Sequence, residues 1–175
     1  MREMEIYGVS FDLVGKQPIV LLKTTDDNKF LPIWIGHSEA AAILVKLQNA
    51  AAARPMTHDL LADLLGQLEA EVVSVAVTEL RENTFYARIT IQQDGSEIEL
   101  DSRPSDAIAL AVRSNAKIYA ADEVIEESGI EFEGEGGEGG DELASVTPLS
   151  ELDPDEFRQF LDSVSPDEFA RGEDG

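Results

Sequence analysis

Asp101-Ser102-Arg103-Pro104-Ser105-Asp106-Ala107-Ile108-Ala109-Leu110 is the stretch that decides the fold. An extended polar run meets Pro104, whose fixed φ suits the first turn of a helix, and apolar residues at helical spacing continue to about residue 114. A strand here hands over to a helix. The same handover occurs 67 residues earlier, where Ser38-Glu39-Ala40 falls on Ser105-Asp106-Ala107 and Ile43, Val45 and Lys46 fall on Leu110, Val112 and Arg113. The strands before the two helices also match, with Leu31 on Ile98 and Ile33 on Leu100.

Outward from these two points the pattern predicts strands over residues 4–13, 19–23 and 29–35, then helices over 39–49 and 58–68. Val20-Leu21-Leu22 is continuous and apolar, as in a strand buried on both faces. Thr57 is expected to cap the second helix, which carries Leu60, Leu61, Leu64, Leu65 and Leu68. Strands over 72–80, 84–92 and 96–101 follow, joined by turns at Arg81-Glu82-Asn83 and Asp94-Gly95, and helices over 104–114 and 122–128 close the unit. Three strands and two helices, twice over, predict a tandem βββαα duplication and an α+β fold.

The 175 residues divide unevenly in charge, with a net −23 overall. Residues 1–130 hold 11 basic and 21 acidic groups, a net −10, while residues 131–175 hold 2 basic and 15 acidic groups, a net −13. The folded domain is therefore expected over 1–130. Residues 131–150, dense in Gly and Glu, read as a flexible linker. Residues 151–175 read as an acidic tail with a short amphipathic helix carrying Phe157, Phe160, Leu161 and Val164. The absence of cysteine excludes disulfides, thiolate zinc sites and a cysteine nucleophile. No apolar run spans a bilayer, and Met1-Arg2-Glu3-Met4-Glu5 is too acidic for a signal peptide, so a cytoplasmic protein is expected.

Four segments together are distinctive: Leu31-Pro32-Ile33-Trp34-Ile35-Gly36 with Glu39-Ala40; Arg54-Pro55-Met56-Thr57-His58-Asp59-Leu60-Leu61; Thr84-Phe85-Tyr86-Ala87; and the opening stretch, 101–110. Over residues 5–130 the chain resembles the bifunctional nuclease domain family. The resemblance implies two βββαα repeats around a curved, barrel-like mixed sheet, self-association as a homo-oligomer, most simply a dimer, and cleavage of RNA, DNA or both. The strongly acidic balance of the chain departs from what such a substrate would favour.

Phosphodiester cleavage needs a group that activates the nucleophile, positive charge on the phosphoryl oxygens and a proton for the leaving oxygen. The motif positions offer His58, Asp59, Glu39 and Asp106 for acid–base work, and Arg54, Thr57, Arg103 and Ser105 for holding substrate. Glu39, Asp101 and Asp106 are the candidate ligands for a divalent Mg or Mn ion. Glu39 and Asp106 are equivalent positions of the two repeats, so facing helix starts would bring them together with Arg103. Each acid also suits the first turn of a helix with no catalytic role, where it stabilises the dipole by about 0.3 to 1 kcal/mol. Trp34 is expected in the core or an oligomer interface, with base stacking as the lesser alternative. A second reading of the chain is a non-catalytic regulatory or binding module for a small anion or protein partner. On that reading the acidic tail docks on a partner or inhibits its own domain.

Overall fold

The structure, a computed structural model, describes residues 1–12, 17–50 and 53–131. The linker and the tail with its Phe157–Val164 stripe lie outside the described residues. The elements run β1 (Arg2–Asp12), β2 (Gln17–Thr24), β3 (Lys29–Trp34), α1 (His37–Leu47), α2 (Thr57–Gln67), β4 (Glu71–Arg81), β5 (Thr84–Gln93), β6 (Ser96–Ser102), α3 (Pro104–Ser114), β7 (Lys117–Ala120), α4 (Asp122–Ser128) and β8 (Ile130–Glu131).

The expected three strands and two helices form the first half, but the second half differs. β7 separates α3 from α4, and β8 follows α4. Lys117-Ile118-Tyr119-Ala120 is too short a run to show a period of its own, so only tertiary pairing reveals it as a strand. That strand joins the molecule. It pairs parallel with β4 and antiparallel with β1, fusing the meanders β1-β2-β3 and β4-β5-β6 into one mixed sheet of order β6-β5-β4-β7-β1-β2-β3-β8. The sheet is open rather than barrel-like, with β6 and β8 as its edges. β8 contributes two residues, and β6 carries Glu97, Glu99 and Asp101 along its length, charges that discourage pairing at an edge.

The turns follow the sequence closely. Glu82-Asn83 and Asp94-Gly95 are two-residue hairpin loops with all four residues at positive φ, the conformation whose twist matches the flanking strands. At the β2–β3 turn, the buried Thr24 hydroxyl donates to Asp27, as do Arg2 Nη2 at 2.7 Å and the Lys29 amide at 3.1 Å. These bonds, the one from Thr24 foremost, hold the Asp27 carboxyl at about 2.

β2 is buried from Pro18 to Leu22, as its unbroken apolar run requires. α1 and α3 pack against each other over the sheet, and α2 packs on α3. Both central helices are rich in buried alanine, Ala40, Ala41 and Ala42 in α1 and Ala107, Ala109 and Ala111 in α3, with Ile43, Ile108 and Leu110 as the larger core side chains. Short side chains let helix backbones approach closely. α2 is the exception. It buries no residue fully, and Leu60, Leu61, Leu64 and Leu68 are exposed. Its start also differs from expectation. Thr57 is the first helical residue and Met56 the N-cap, because Asp59 Oδ2 reaches back to accept the Met56 amide at 2.7 Å. Among the described residues no helix is long and apolar enough to cross a membrane.

Truncating Leu110, 1% exposed at the centre of α3, should lower unfolding free energy by about 2–5 kcal/mol as Leu110→Ala, and Ile108→Val by about 0.5–1.5 kcal/mol. Urea denaturation followed by circular dichroism measures both. Near-equal costs would mean that the α3 core is not packed as described.

Candidate active site

α1 and α3 begin side by side, and this places three charged groups within bonding distance. Glu39 and Asp106 each occupy the third position of their helices. Arg103, the N-cap of α3, bridges them: Nη2 lies 2.9 Å from Glu39 Oε1 and 3.1 Å from Asp106 Oδ1, and Nε lies 2.7 Å from Asp106 Oδ2. The first turn of α2 adds His58, whose Nε2 is 3.0 Å from Asp106 Oδ1 and whose side chain is 13% exposed. Four residues from three helices thus share one network. They line a cavity of about 260 Å³ together with Ser38 and Thr57.

Gly36 makes the Glu39 position available. The carboxylate folds back over the N-terminus of α1, and a Cβ at residue 36 would lie 2.2 Å from Glu39 Oε2. Ser38 Oγ donates to the same oxygen at 2.9 Å. Burial pushes the Asp106 carboxyl up, but hydrogen bonds and charge from Arg103 and His58 outweigh it and leave the group below its usual value. Asp106 is therefore ionised at neutral pH and only accepts, so His58 Nε2 carries the hydrogen and Nδ1 is the remaining proton site. The bond to Asp106 in turn raises the Arg103 pKa. Arg103 stays 65% exposed in its side chain, and among the described residues its Nη1 has no acceptor.

Other expected site residues lie elsewhere. Asp59 follows His58 in sequence, but successive helical side chains diverge by about 100°. It turns away to Arg113 Nε at 2.6 Å and to the Met56 amide. Burial raises its pKa, yet these partners bring it below the ordinary value. With Arg54, Lys46, Asp63 and Arg113 it lines a separate cavity of about 320 Å³. Arg113, 3% exposed in its side chain, also donates to the Ala109 carbonyl at 2.8 Å and ties α2 to α3. The sequence signalled it only as the partner of Lys46 in the repeat. Asp101 is exposed on β6, opposite Arg88 in the ladder, and lines none of these cavities. Ser105 is buried and belongs to a groove with Trp34.

The expected cation ligands do not form a cage. Among the described residues, no three His, Asp or Glu side chains are gathered so as to hold a metal ion. The space between Glu39 and Asp106 is bridged by a guanidinium, so this donor set does not fit a resident divalent cation there.

Because the Asp106 pKa is depressed on folding, its contribution to stability is complete above the ordinary carboxylate pKa of about 4 and is lost as pH falls through the folded value. The stability difference between wild type and Asp106→Asn should therefore shrink on acidification below about pH 4. Urea denaturation across a pH series measures it, and a difference constant with pH would contradict the network.

Comparison with known proteins identifies the family. The model of the bifunctional nuclease domain matches residues 20–133. An uncharacterized protein of Mycobacterium tuberculosis strain H37Rv is 37% identical over 169 residues, covering 97% of this chain and 98% of that one. Bifunctional nuclease 1 of Arabidopsis thaliana is 29% identical over 105 residues, 58% of this chain and 32% of the plant protein. Bifunctional nuclease 1 of Oryza sativa subsp. japonica is 28% identical over 110 residues, 61% and 33% respectively. The chain thus matches about a third of the length of these plant relatives. With a family model spanning most of the described fold and all four helices in place beneath it, the chain belongs to the bifunctional nuclease domain family.

Proposed function

We propose that this chain is a nuclease that hydrolyses phosphodiester bonds of RNA, DNA or both at the cavity shared by Glu39, His58, Arg103 and Asp106. The observation that carries the reading is the His58–Asp106 contact beside an arginine whose Nη1 has no acceptor among the described residues. The names of the plant relatives and the family point the same way.

The chemistry follows from the proton positions. Asp106 fixes the His58 tautomer and stabilises the imidazolium that forms when Nδ1 takes a proton. Water loses that proton to Nδ1 as its oxygen attacks phosphorus. The bond from phosphorus to the leaving oxygen breaks, and the proton returns from imidazolium to that oxygen. Arg103 Nη1 faces a non-bridging phosphoryl oxygen and offsets the charge that gathers there. Glu39 holds Arg103 in position from the other side. Two carboxylates against one guanidinium leave the cluster short of positive charge, so binding of a polyanion here is weak and, resting on one cation, only shallowly dependent on salt. No step passes through a metal ion.

We also infer that the two halves descend from one duplicated unit, supported by their matching meanders and by the equivalent placing of Glu39 and Asp106 around Arg103. We infer further that the chain self-associates through α2, a reading supported by the exposed leucines at positions 60, 64 and 68, the last of them the C-cap, at spacing i, i+4, i+8.

Purified protein should cleave single-stranded RNA or DNA. His58→Ala and Asp106→Asn should each lower the rate by about 10²–10⁴-fold, with the fold intact by circular dichroism. Glu39→Gln should have a smaller effect. The assay is run with chelator, with Mg²⁺ and with Mn²⁺, and equal rates in all three are expected. Cleavage unchanged by either of the first two substitutions would place the chemistry elsewhere or in a contaminant. In sedimentation equilibrium, wild type should form a dimer that Leu60→Gln with Leu64→Gln converts to monomer, and a wild type monomeric at high concentration removes the α2 assignment.

A further inference from the structure

The groove on the other side of Arg103 is not used by the chemistry above. It lies between the end of β3, the tip of the β4–β5 hairpin and the start of α3, and has a volume of about 340 Å³. Trp34, Gly36, Thr84, Phe85, Arg103 and Ser105 are among the residues that line it. The volume is within the range of small-ligand sites.

Trp34 is the unusual member. Its neighbours Ile33 and Ile35 are 2% and 7% exposed, while Trp34 itself, the largest side chain in the segment, is 48% exposed. Strand alternation sends residue 34 to the opposite face from residues 33 and 35. At the end of β3 all three residues line the groove, and Trp34 is the one whose side chain is left half in solvent. An indole left half in water next to a groove is a surface on which a planar ring can stack. Phe85 on the hairpin is a second aromatic lining residue, and Thr84 and Ser105 border the same space. Among the described residues Arg103 is the one that lines both this groove and the cavity holding His58 and Asp106.

We propose that this groove is a nucleobase subsite: a base of single-stranded nucleic acid stacks on Trp34 while the phosphate attached to its sugar is taken by Arg103 Nη1. The inference rests on the nuclease reading for its choice of ligand and adds where the substrate is held. It selects single strands, because a paired base inside a duplex has no free face to offer. It is indifferent to base identity, because stacking uses the face that every base shares. It also has one cation, so the salt dependence is shallow. The logarithm of affinity should fall with the logarithm of salt at a slope of about −0.7, as for one single-strand phosphate contact.

Trp34 is the sole tryptophan of the chain, so its fluorescence reports on this groove alone. The full chain at low salt is titrated with hexameric oligo-dT, with hexameric oligo-rU and with inorganic phosphate. Both oligonucleotides should quench the emission, and phosphate should not. Binding of labelled oligonucleotide, followed by anisotropy, should weaken about 5- to 150-fold in Trp34→Leu, the equivalent of one stacked base. Trp34→Phe should retain most of the affinity, and thermal melts show whether either variant is folded. Quenching by only one of the two oligonucleotides would assign the groove to that nucleotide, thymidine or uridine. Oligonucleotide binding that leaves the emission unmoved and is equal in Trp34→Leu overturns the subsite, as does no binding at all. Quenching without cleavage keeps the subsite and removes the nuclease reading. Cleavage without quenching does the reverse.

Discussion

A single guanidinium joins the starts of two helices. Arg103 reaches Asp106 on its own helix and Glu39 on the neighbouring one, and this is feasible only because α1 and α3 run close together at their N-terminal ends. Alanine at 40, 41 and 42 and at 107, 109 and 111 keeps the helix pair slim where it is buried. Helix N-termini carry positive dipole ends and free amides, so two of them side by side attract acids. Glu39 and Asp106 answer that field, and Arg103 then neutralises part of what they bring. The polar network is a consequence of packing as much as of chemistry.

The third helix adds an imidazole to that ion bridge. α2 gives two consecutive residues to two different partners, His58 to Asp106 and Asp59 to Arg113. The second contact is largely buried on the arginine side and anchors α2 against α3, which sets where the imidazole can sit. Asp59 therefore anchors α2 from a separate cavity, while its outer neighbours on α2 remain in solvent. The helix holds the site with one face and leaves a leucine stripe on another.

The sheet serves the same end. β7, only four residues long, lies between the two meanders and fixes the second half of the molecule against the first. Without that strand the ends of β3 and β6, which feed α1 and α3, would have no common frame. The hairpin tip at Glu82-Asn83 then rises beside Trp34, and the groove and the cavity share Arg103 as a wall.

Residue patterns alone determined the six long strands, the four helices and both tight hairpin turns, because period, Pro104 at a helix start and Asp94-Gly95 at a turn act over a few neighbouring residues. They also offered Glu39, His58, Arg103 and Asp106, though in one set with Asp59, Arg54, Thr57, Ser105 and Asp101, and the alignment of the two helix starts paired only Glu39 with Asp106. What only the tertiary structure decided was pairing and direction. β7 is too short to declare itself, and the open edges at β6 and β8 depend on which strands meet. Asp59 and Arg54 read as companions of His58 in sequence, yet a helix rotates adjacent side chains by about 100°, so neighbours in the chain face different cavities. Trp34 read as a core or interface residue, with base stacking as the lesser alternative, because an apolar residue states its preference for burial; only the arrangement of β3, the hairpin and α3 leaves it half exposed beside a groove.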